Sequence, residues 1–530
     1  MNPDTLAGAL EATWNRRPDA PALVYGNRSL KYAQLGDAVT ALAGAQRRLG
    51  IGAGDRIVCS VSNRPEKVIA LGAAWASGAV HVGVDYQFTA PELSSVINMT
   101  QAGALIYEPV GEASDPFLPL GILRKEYPDL PIIVVGDLPV PGEFVAFSRL
   151  IETTPGSLPP IALEGPSPQD PALIFISSGT TGIPKATLGY QGNLSQRWQR
   201  LAGWLGFGPD DVHLAQMPLS HGFGLMMAMG ALLTGGQLVL LDKFSAEAAL
   251  QVIESERVTV LNGSPTHFKL ILDRLDPQRH DVSSLRFSVG TAAFFSASLV
   301  RSIWDKLNVK FMFMYGSSEG VGVATTEPDD ILRGSVGKPA PGAAIIVDSE
   351  HEPLPVGETG EIAFSRKVYP IKYWGEPGHE SLATALQPES ANGNSTSWYY
   401  SGDLGRMDDE GRLYVFGRLK HQIDRGGLKI DPVEVEAALL QHPDVSDGAV
   451  IGLPNPILGE VACACVVPAS EQPPTLEEIR TFLSGELAPY KLPDELCVLD
   501  EIPRTQIGKV DLKKLRELVA ETATQSLRPR

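Results

Sequence analysis

Nine consecutive residues, Ser177-Ser178-Gly179-Thr180-Thr181-Gly182-Ile183-Pro184-Lys185, hold four hydroxyls, two glycines and a lysine directly after the apolar run Ala172-Leu173-Ile174-Phe175-Ile176. The run reads as a buried strand. Glycines let backbone approach a ligand closely, and hydroxyls with free N–H groups make a concavity for anionic oxygens. Lys185 adds a mobile positive charge, so the segment reads as a grip on phosphates, those of ATP. It departs from the common phosphate loop, in which Gly-Lys-Ser/Thr runs straight into a helix, because Ile183-Pro184 separates Gly182 from Lys185. Taken alone, the segment fits a flexible connector equally well.

Its company decides between these readings. Pro218-Leu219-Ser220-His221-Gly222-Phe223-Gly224 follows, then Tyr315-Gly316-Ser317-Ser318-Glu319-Gly320 after the apolar strand Phe311–Met314. Tyr400-Ser401-Gly402-Asp403-Leu404-Gly405 sets a carboxylate in a glycine-flanked turn. Gly417-Arg418-Leu419-Lys420 precedes Arg425-Gly426-Gly427-Leu428-Lys429-Ile430-Asp431, and Pro503-Arg504-Thr505-Gln506-Ile507-Gly508-Lys509 stands near the end. In this order and spacing the segments resemble the adenylate-forming superfamily of acyl-CoA synthetases, adenylation domains and luciferases, and most of all its aryl- and acyl-CoA ligases. The resemblance covers essentially the whole chain.

The resemblance implies a two-step reaction. A carboxylate is a poor electrophile, so it first attacks the α-phosphate of ATP and expels pyrophosphate, giving an acyl-AMP with a good leaving group; a thiol then displaces AMP. The protein must hold a triphosphate, bring up a second anion and offset charge in the in-line transition state. Residue by residue, the resemblance implies that Ser177, Ser178, Gly179, Thr180, Thr181, Gly182 and Lys185 close over the β- and γ-phosphates. Ser318 would donate to the α-phosphate, and Glu319 would bind Mg²⁺, a hard cation suited to carboxylate and phosphate oxygens. Tyr315 would face adenine, with the backbone of Ala292, Ala293 and Gly316 beside it. Asp403 would accept from the ribose hydroxyls, supported by Arg418.

Lys509 would reach the carboxylate and α-phosphate and offset developing charge. Lys420 would be the hinge on which a small domain turns between half-reactions, and Gly426 and Gly427 would wall a tunnel for the pantetheine arm of CoA, where a narrow arm needs close backbone. His221 would gate the carboxylate, in an acyl pocket shared with Phe223, Met227, Gly290 and Gly316. Each residue also has a plainer reading: Lys509 and Lys420 as solvated side chains, Asp403 as a turn cap, the glycine pair as a bulge, His221 as a core histidine and Met227 as core filling.

Three departures from the pattern bear on substrate and chemistry. Asp424 stands where coumarate ligases and luciferases carry lysine, which disfavours light-type oxidation, and Lys429 stands where they carry glutamine. Gly290-Thr291-Ala292-Ala293-Phe294-Phe295 replaces a Gly-Ala-Pro-like turn. The run from His221 to Met227 has no carboxylate for an α-ammonium, so an ordinary amino acid is excluded as the expected acid. Phe223 and Met227 favour an aryl or short to medium acyl acid. The expected acceptor is CoA. A carrier protein supplied in trans, an unusual acid or nucleophile (amide formation, nitrite activation for diazotisation) and a nucleotide-binding regulator without catalysis are the alternatives.

A chain of 530 residues exceeds one core and implies at least two domains. Repeated strand–helix units imply an α/β class: Ala33–Leu49 and Lys67–Ser77 as helices, Asp55–Val61 and Val80–Val84 as strands, with Pro155–Pro171 as a linker between two such regions. The expected organisation is a large amino-terminal nucleotide-binding domain of layered α/β subdomains with a β-rich closing element over residues 1–417, a hinge over 418–425, and a small mobile α+β domain over 426–530 carrying Lys509. A net charge of −18 argues against a nucleic-acid partner. The four cysteines form no Cys-x-x-Cys pair, so free thiols are expected. The apolar stretches Val68–Val84 and Leu225–Leu241 are broken by glycines and read as helix, turn and strand, not as membrane spans. With no secretory signal at Met1, a cytoplasmic location is expected.

Overall fold

The apolar Val80–Val84 run forms a strand buried along its whole length, as a strand covered on both faces must be. In the computed structural model it pairs in parallel with Arg56–Ser60 on one side and Pro171–Ser177 on the other. The structure describes residues 1–109, 116–152, 165–177, 185–293, 295–317, 322–325, 328–366, 372–374, 398–426, 428–505 and 508–526.

This strand belongs to a seven-stranded sheet whose edge is an antiparallel hairpin, Pro171–Ser177 with Lys185–Tyr190. Ser177 and Lys185 face each other in its register, so the backbone pins both ends of the serine/threonine/glycine segment. The linker expected at Pro155–Pro171 therefore does not separate two sheets. Strands on both sides of it share one sheet, with His81 opposite Leu173.

An eight-stranded sheet packs beside the first, running Gly322–Ala324, Lys310–Gly316, Phe287–Gly290, Val260–Gly263, Val212–Ala215, Gln237–Leu240, Pro21–Tyr25 and Arg28–Lys31. Its inner strands are parallel, so their carboxyl ends lie on one side, with Gly263 opposite Gly290 and Gly290 opposite Phe313. Ligands of α/β sheets bind at such ends. The Pro65–Ser77 helix is buried on every side, and its core is shared with Tyr32–Arg48 and Gly222–Thr234. Apart from Glu66 and Lys67 in its first turn the helix is largely apolar on every face, which needs such a setting. Trp75 anchors it, donating Nε1–H to the Ala172 carbonyl at 3.1 Å.

A five-stranded antiparallel sheet follows, in the order Ser335–Gly337, Leu413–Arg418, Trp398–Met407, Thr359–Ser365, Ala344–Val347. A short 3₁₀ turn, Leu419–His421, leads out of it. The last sheet contains Leu428–Ile430, Ile423–Arg425, Gly459–Pro468, Val445–Asn455 and Glu495–Val498. The Pro432–Leu439 and Leu476–Leu483 helices supply one of its cores, and Leu512–Ser526 helps to seal the other. All four cysteines are buried and free. Among the described residues no helix is long and apolar enough to cross a membrane.

Candidate active site

The antiparallel ladder between Trp398–Met407 and Leu413–Arg418 places Asp403 opposite Arg418. Arg418 Nε lies 2.6 Å from Asp403 Oδ1. Tyr315, at the carboxyl end of its strand, donates its hydroxyl to Asp403 Oδ2 at 2.5 Å. Asp403 is buried, and its N–H donates to Ser401 Oγ at 3.1 Å. Gly402 takes a left-handed φ of +71° and donates its N–H to Glu361 Oε1 at 2.7 Å. That conformation explains the glycine of the Ser-Gly-Asp turn. Burial first, and the Asp403 charge second, push the Tyr315 phenol well above its ordinary range.

His221 immediately precedes the first turn of the Gly222–Thr234 helix. Glycine is required in that turn, because a Cβ on Gly224 would lie 2.4 Å from the Pro218 carbonyl oxygen. Burial, then the charges of Lys67 and Lys509, push His221 down to about 4. It is therefore neutral at pH 7. Phe223 is half-buried at the edge of a core cluster, while Met227 is sealed inside it with Val260, Phe287, Val289 and Met312. In this structure Met227 fills core.

Lys509 follows Gly508, whose φ is +77°. A Cβ there would stand 2.3 Å from Ser264 Oγ, so the segment lies tight against the Pro265–Arg274 helix start. Thr266 Oγ1 donates to the Gly508 carbonyl at 3.4 Å. Arg504 braces the segment, donating to the same carbonyl at 3.1 Å and to both oxygens of Asp447. Solvent reaches Lys509 in the open cleft, yet protein surrounds it closely. That surrounding mass first, and Arg418 second, lower its pKa, while Asp403 pulls the other way. Tyr315, Asp403, Arg418, His221 and Lys509 thus share one cleft, although more than 270 residues separate His221 from Lys509 in sequence.

Other expected positions fall elsewhere. Ser178, Gly179, Thr180, Thr181, Gly182, Ser318, Glu319 and Gly427 lie outside the described residues, and of Ser177 and Lys185 only the backbone is described. Gly290 points its missing side chain away from the cleft, since a Cβ would meet Phe295 and Phe311, each at 2.6 Å. Phe295 is buried among Phe268, Phe311 and Phe313. Gly316 is exposed and pairs with Gly322. Lys420 lies in the Leu419–His421 turn and is exposed, and Gly426 is exposed with φ +61°. The two departures Asp424 and Lys429 pair with each other, Lys429 Nζ lying 2.7 Å from Asp424 Oδ2. Among the described residues no group of three or more His, Cys, Asp or Glu could hold a metal.

One residue, Lys67, and the backbone strain of another, Ala292, escaped the sequence reading. Ala292 holds φ +78°, a strained conformation for a residue with a Cβ, beside Thr291, whose hydroxyl donates to the Met314 carbonyl at 2.9 Å. Lys67 is buried in an otherwise apolar helix, and its charge reaches His221. A lysine in the run Pro65-Glu66-Lys67-Val68-Ile69 was the available signal, masked by the neighbouring Glu66.

Comparison with known proteins bears on this cleft. A family model described as AMP-binding enzyme matches residues 10–374, and one described as AMP-binding enzyme C-terminal domain matches 434–509. Triostin synthetase I of Streptomyces triostinicus is 33% identical over 98% of this chain and 95% of its own length. Indoleacetate–CoA ligase of Aromatoleum aromaticum is 32% identical over 95% of this chain and 96% of its own. The crystal structure of the anthranilate CoA ligase AuaEII in complex with anthranoyl-AMP superposes with a TM-score of 0.85 at 26% identity, covering 98% of both chains.

Proposed function

The chain belongs to the AMP-binding enzyme family, and from that footing we propose that it joins a carboxylic acid to CoA in two steps, through an acyl-AMP. The observation that carries this reading is the convergence of Asp403, Tyr315, Arg418, His221 and Lys509 on one cleft. CoA ligases acting on indoleacetate and anthranilate resemble the chain over nearly its full length, which favours an aryl or short to medium acyl acid.

In the first step a carboxylate oxygen attacks the α-phosphorus of ATP, and pyrophosphate leaves with the electron pair of the broken P–O bond. Asp403 holds the ribose hydroxyls once nucleotide displaces Tyr315 or Arg418 from part of its hydrogen-bonding capacity. Lys509 offsets the charge gathering between carboxylate and α-phosphate, which is worth most where water is thinned. Neutral His221 can donate one hydrogen bond to the carboxylate without adding charge. The Ser177–Lys185 segment and Ser318 hold phosphate oxygens. Glu319 is the carboxylate assigned to Mg²⁺, which when bound neutralises phosphate charge. In the second step the CoA thiolate attacks the acyl carbon and AMP leaves. Residues 1–417, the 418–425 hinge and 426–530 are the bodies proposed to move between steps, turning near Lys420 and bringing Gly426 and Gly427 to the thiol path.

The test is pyrophosphate release from ATP with aryl, short-chain and medium-chain acids, each with and without CoA. Release with one acid class, and an acyl-CoA mass only when CoA is present, supports the reading. Release without an acyl-CoA product transfers it to a carrier protein or another nucleophile, and no release with any acid overturns it.

A further inference from the structure

Beneath Thr505 and Gly508 lies a cavity of about 500 Å³, whose walls include Ser62, Lys67, Gln216 and Ser220. Lys67 is 1% exposed. Its one hydrogen bond among the described residues runs from Nζ to the Val61 carbonyl at 2.6 Å, and no described carboxylate stands within ion-pair distance. A buried ammonium without a counter-ion is costly unless something charged completes its shell. Two residues of the cavity wall each carry a buried polar atom without a partner, Ser62 Oγ and Gln216 Oε1. Native interiors leave few such atoms, and each signals a group that belongs there.

The charged neighbours do not fill the role. Glu108 is committed to Arg64 Nη1 at 2.9 Å and to the Ser62 N–H at 2.7 Å. Asp242 accepts from the Tyr25 hydroxyl and the Lys243 N–H. Asp85, Glu108 and Cys59 each favour the Lys67 charge, but burial outweighs them and the ammonium is held below its ordinary range. His81 and His221, which face Lys67, are both pushed toward neutrality and supply no negative charge. Of the buried groups on the wall, the Lys67 ammonium and the Ser62 hydroxyl are the donors without a counter-charge, and Gln216 Oε1 is the spare acceptor; Ser220 and the exposed Lys243 also line the cavity.

We propose that this cavity recognises a carboxylate carried by one of the two reactants, with Lys67 as its counter-ion, Ser62 as a second donor and Gln216 receiving an N–H or O–H beside it. The inference rests on the acid–thiol ligase reading and deepens it, making Lys67 a specificity-determining residue. The carboxylate belongs to the acid, as the second carboxyl of a dicarboxylic acid; a carboxylate on a thiol other than CoA, which has none, is the other source that the second arm tests.

The experiment compares the full chain with Lys67→Met and Lys67→Arg on matched pairs that differ by one carboxylate. One arm sets hexanoate against adipate and benzoate against terephthalate, with CoA, by pyrophosphate release. The other sets N-acetylcysteamine against N-acetylcysteine as acceptor for a single acid, by thioester formation. In one arm, the kcat/KM ratio of the carboxylate-bearing member to its partner is expected to fall about 10- to 100-fold in Lys67→Met, as loss of one charge-assisted contact implies, and to recover at least in part in Lys67→Arg. The arm that responds identifies the source. Equal losses for both members of every pair, or unchanged ratios in both arms, overturn the proposal. Thermal stabilisation by adipate and by N-acetylcysteine, in the full chain and in both Lys67→Met and Ser62→Ala, reads binding without turnover. Stabilisation lost in the variants supports the pocket, and stabilisation absent from the unaltered chain or kept in both variants overturns it. Absence of pyrophosphate release with every acid would count against the ligase reading alone, since this binding measurement stands apart from it.

Discussion

Tyr315 and Asp403 sit on different sheets and are joined by one hydrogen bond, 2.5 Å from the phenol oxygen to Oδ2. Arg418 holds the other carboxylate oxygen at 2.6 Å. The carboxylate is thereby fixed in rotation before any ligand arrives, which lowers the ordering cost of binding. Tyr315→Phe is expected to raise the KM for ATP by about tenfold and to leave the preference among acids as it was. An unchanged KM would remove the orienting role from Tyr315.

Lys509 is held below the ordinary lysine range by the protein around it and by Arg418. Only its protonated form can offset negative charge. Pyrophosphate release should therefore fall as pH rises through a midpoint below about 10.4, the ordinary lysine value. Lys509→Ala should lower that rate by about 100-fold or more, and Lys509→Arg should abolish the alkaline limb. Retention of the limb in Lys509→Arg would assign it to another group.

His81 is pushed by burial to about 3 and both ring nitrogens are unpartnered. The unfolded chain binds a proton at this residue below about 6.5 while the folded chain does not. Its contribution to stability is therefore complete above about 6.5 and is lost as pH falls toward about 3. His213 and His267, each at about 4, act in the same direction. Melting temperatures between pH 7 and pH 5 should fall less steeply in His81→Leu than in the unaltered chain, and parallel slopes would contradict the assignment.

Glu436 carries the opposite sign. Burial raises it to about 7, while the Val450 N–H donates to its Oε1 at 2.8 Å. The folded protein keeps this proton where the unfolded chain has lost it, so the contribution declines as pH rises from about 4.3 toward about 7. Glu436→Gln keeps the acceptor and removes the titration. It should gain stability at pH 8 relative to pH 5 in a denaturant melt. A gain independent of pH would point to packing instead.

Gly508→Ala introduces a Cβ into left-handed backbone 2.3 Å from Ser264 Oγ. The variant should fold, because the clash falls between two packed bodies and not within a core, yet lose the docked position of Lys509. Pyrophosphate release should drop by about tenfold or more, while conversion of supplied acyl-AMP to acyl-CoA is kept. Equal losses in both assays would mean that the glycine serves the loop's own fold.

Much of this architecture was legible in sequence where the signal was local. The Val80–Val84 strand, and the helices at Tyr32–Arg48 and Pro432–Leu439, follow from apolar periodicity and Pro at the first helical turn. Sheet membership was not legible. Pro21–Lys31 crosses to pair with Gln237–Leu240, and Pro171–Ser177 returns to Val80–Val84, because strand partners are chosen by packing across long stretches of chain. Within the cleft, Asp403 and Arg418 were singled out through the family resemblance of their motifs, and their pairing across two strands is what the structure adds. The burial of Met227, the strain at Ala292 and the uncompensated charge of Lys67 were not legible, since each depends on what surrounds the residue in space.

The contact between Gly508 and Ser264 has a kinetic corollary. The roof that this contact seats over the cavity is on the same segment that, in the proposed two-step cycle, withdraws before a thiol approaches. Whatever occupies the cavity and the docking of that roof are therefore thermodynamically linked, each favouring the other by the same factor. An occupant held too tightly would stall the cycle after its first product, and one held too loosely would leave the roof ajar. Fastest turnover then belongs to reactants of intermediate affinity, so a stronger binder at this spot should act on the enzyme as a brake.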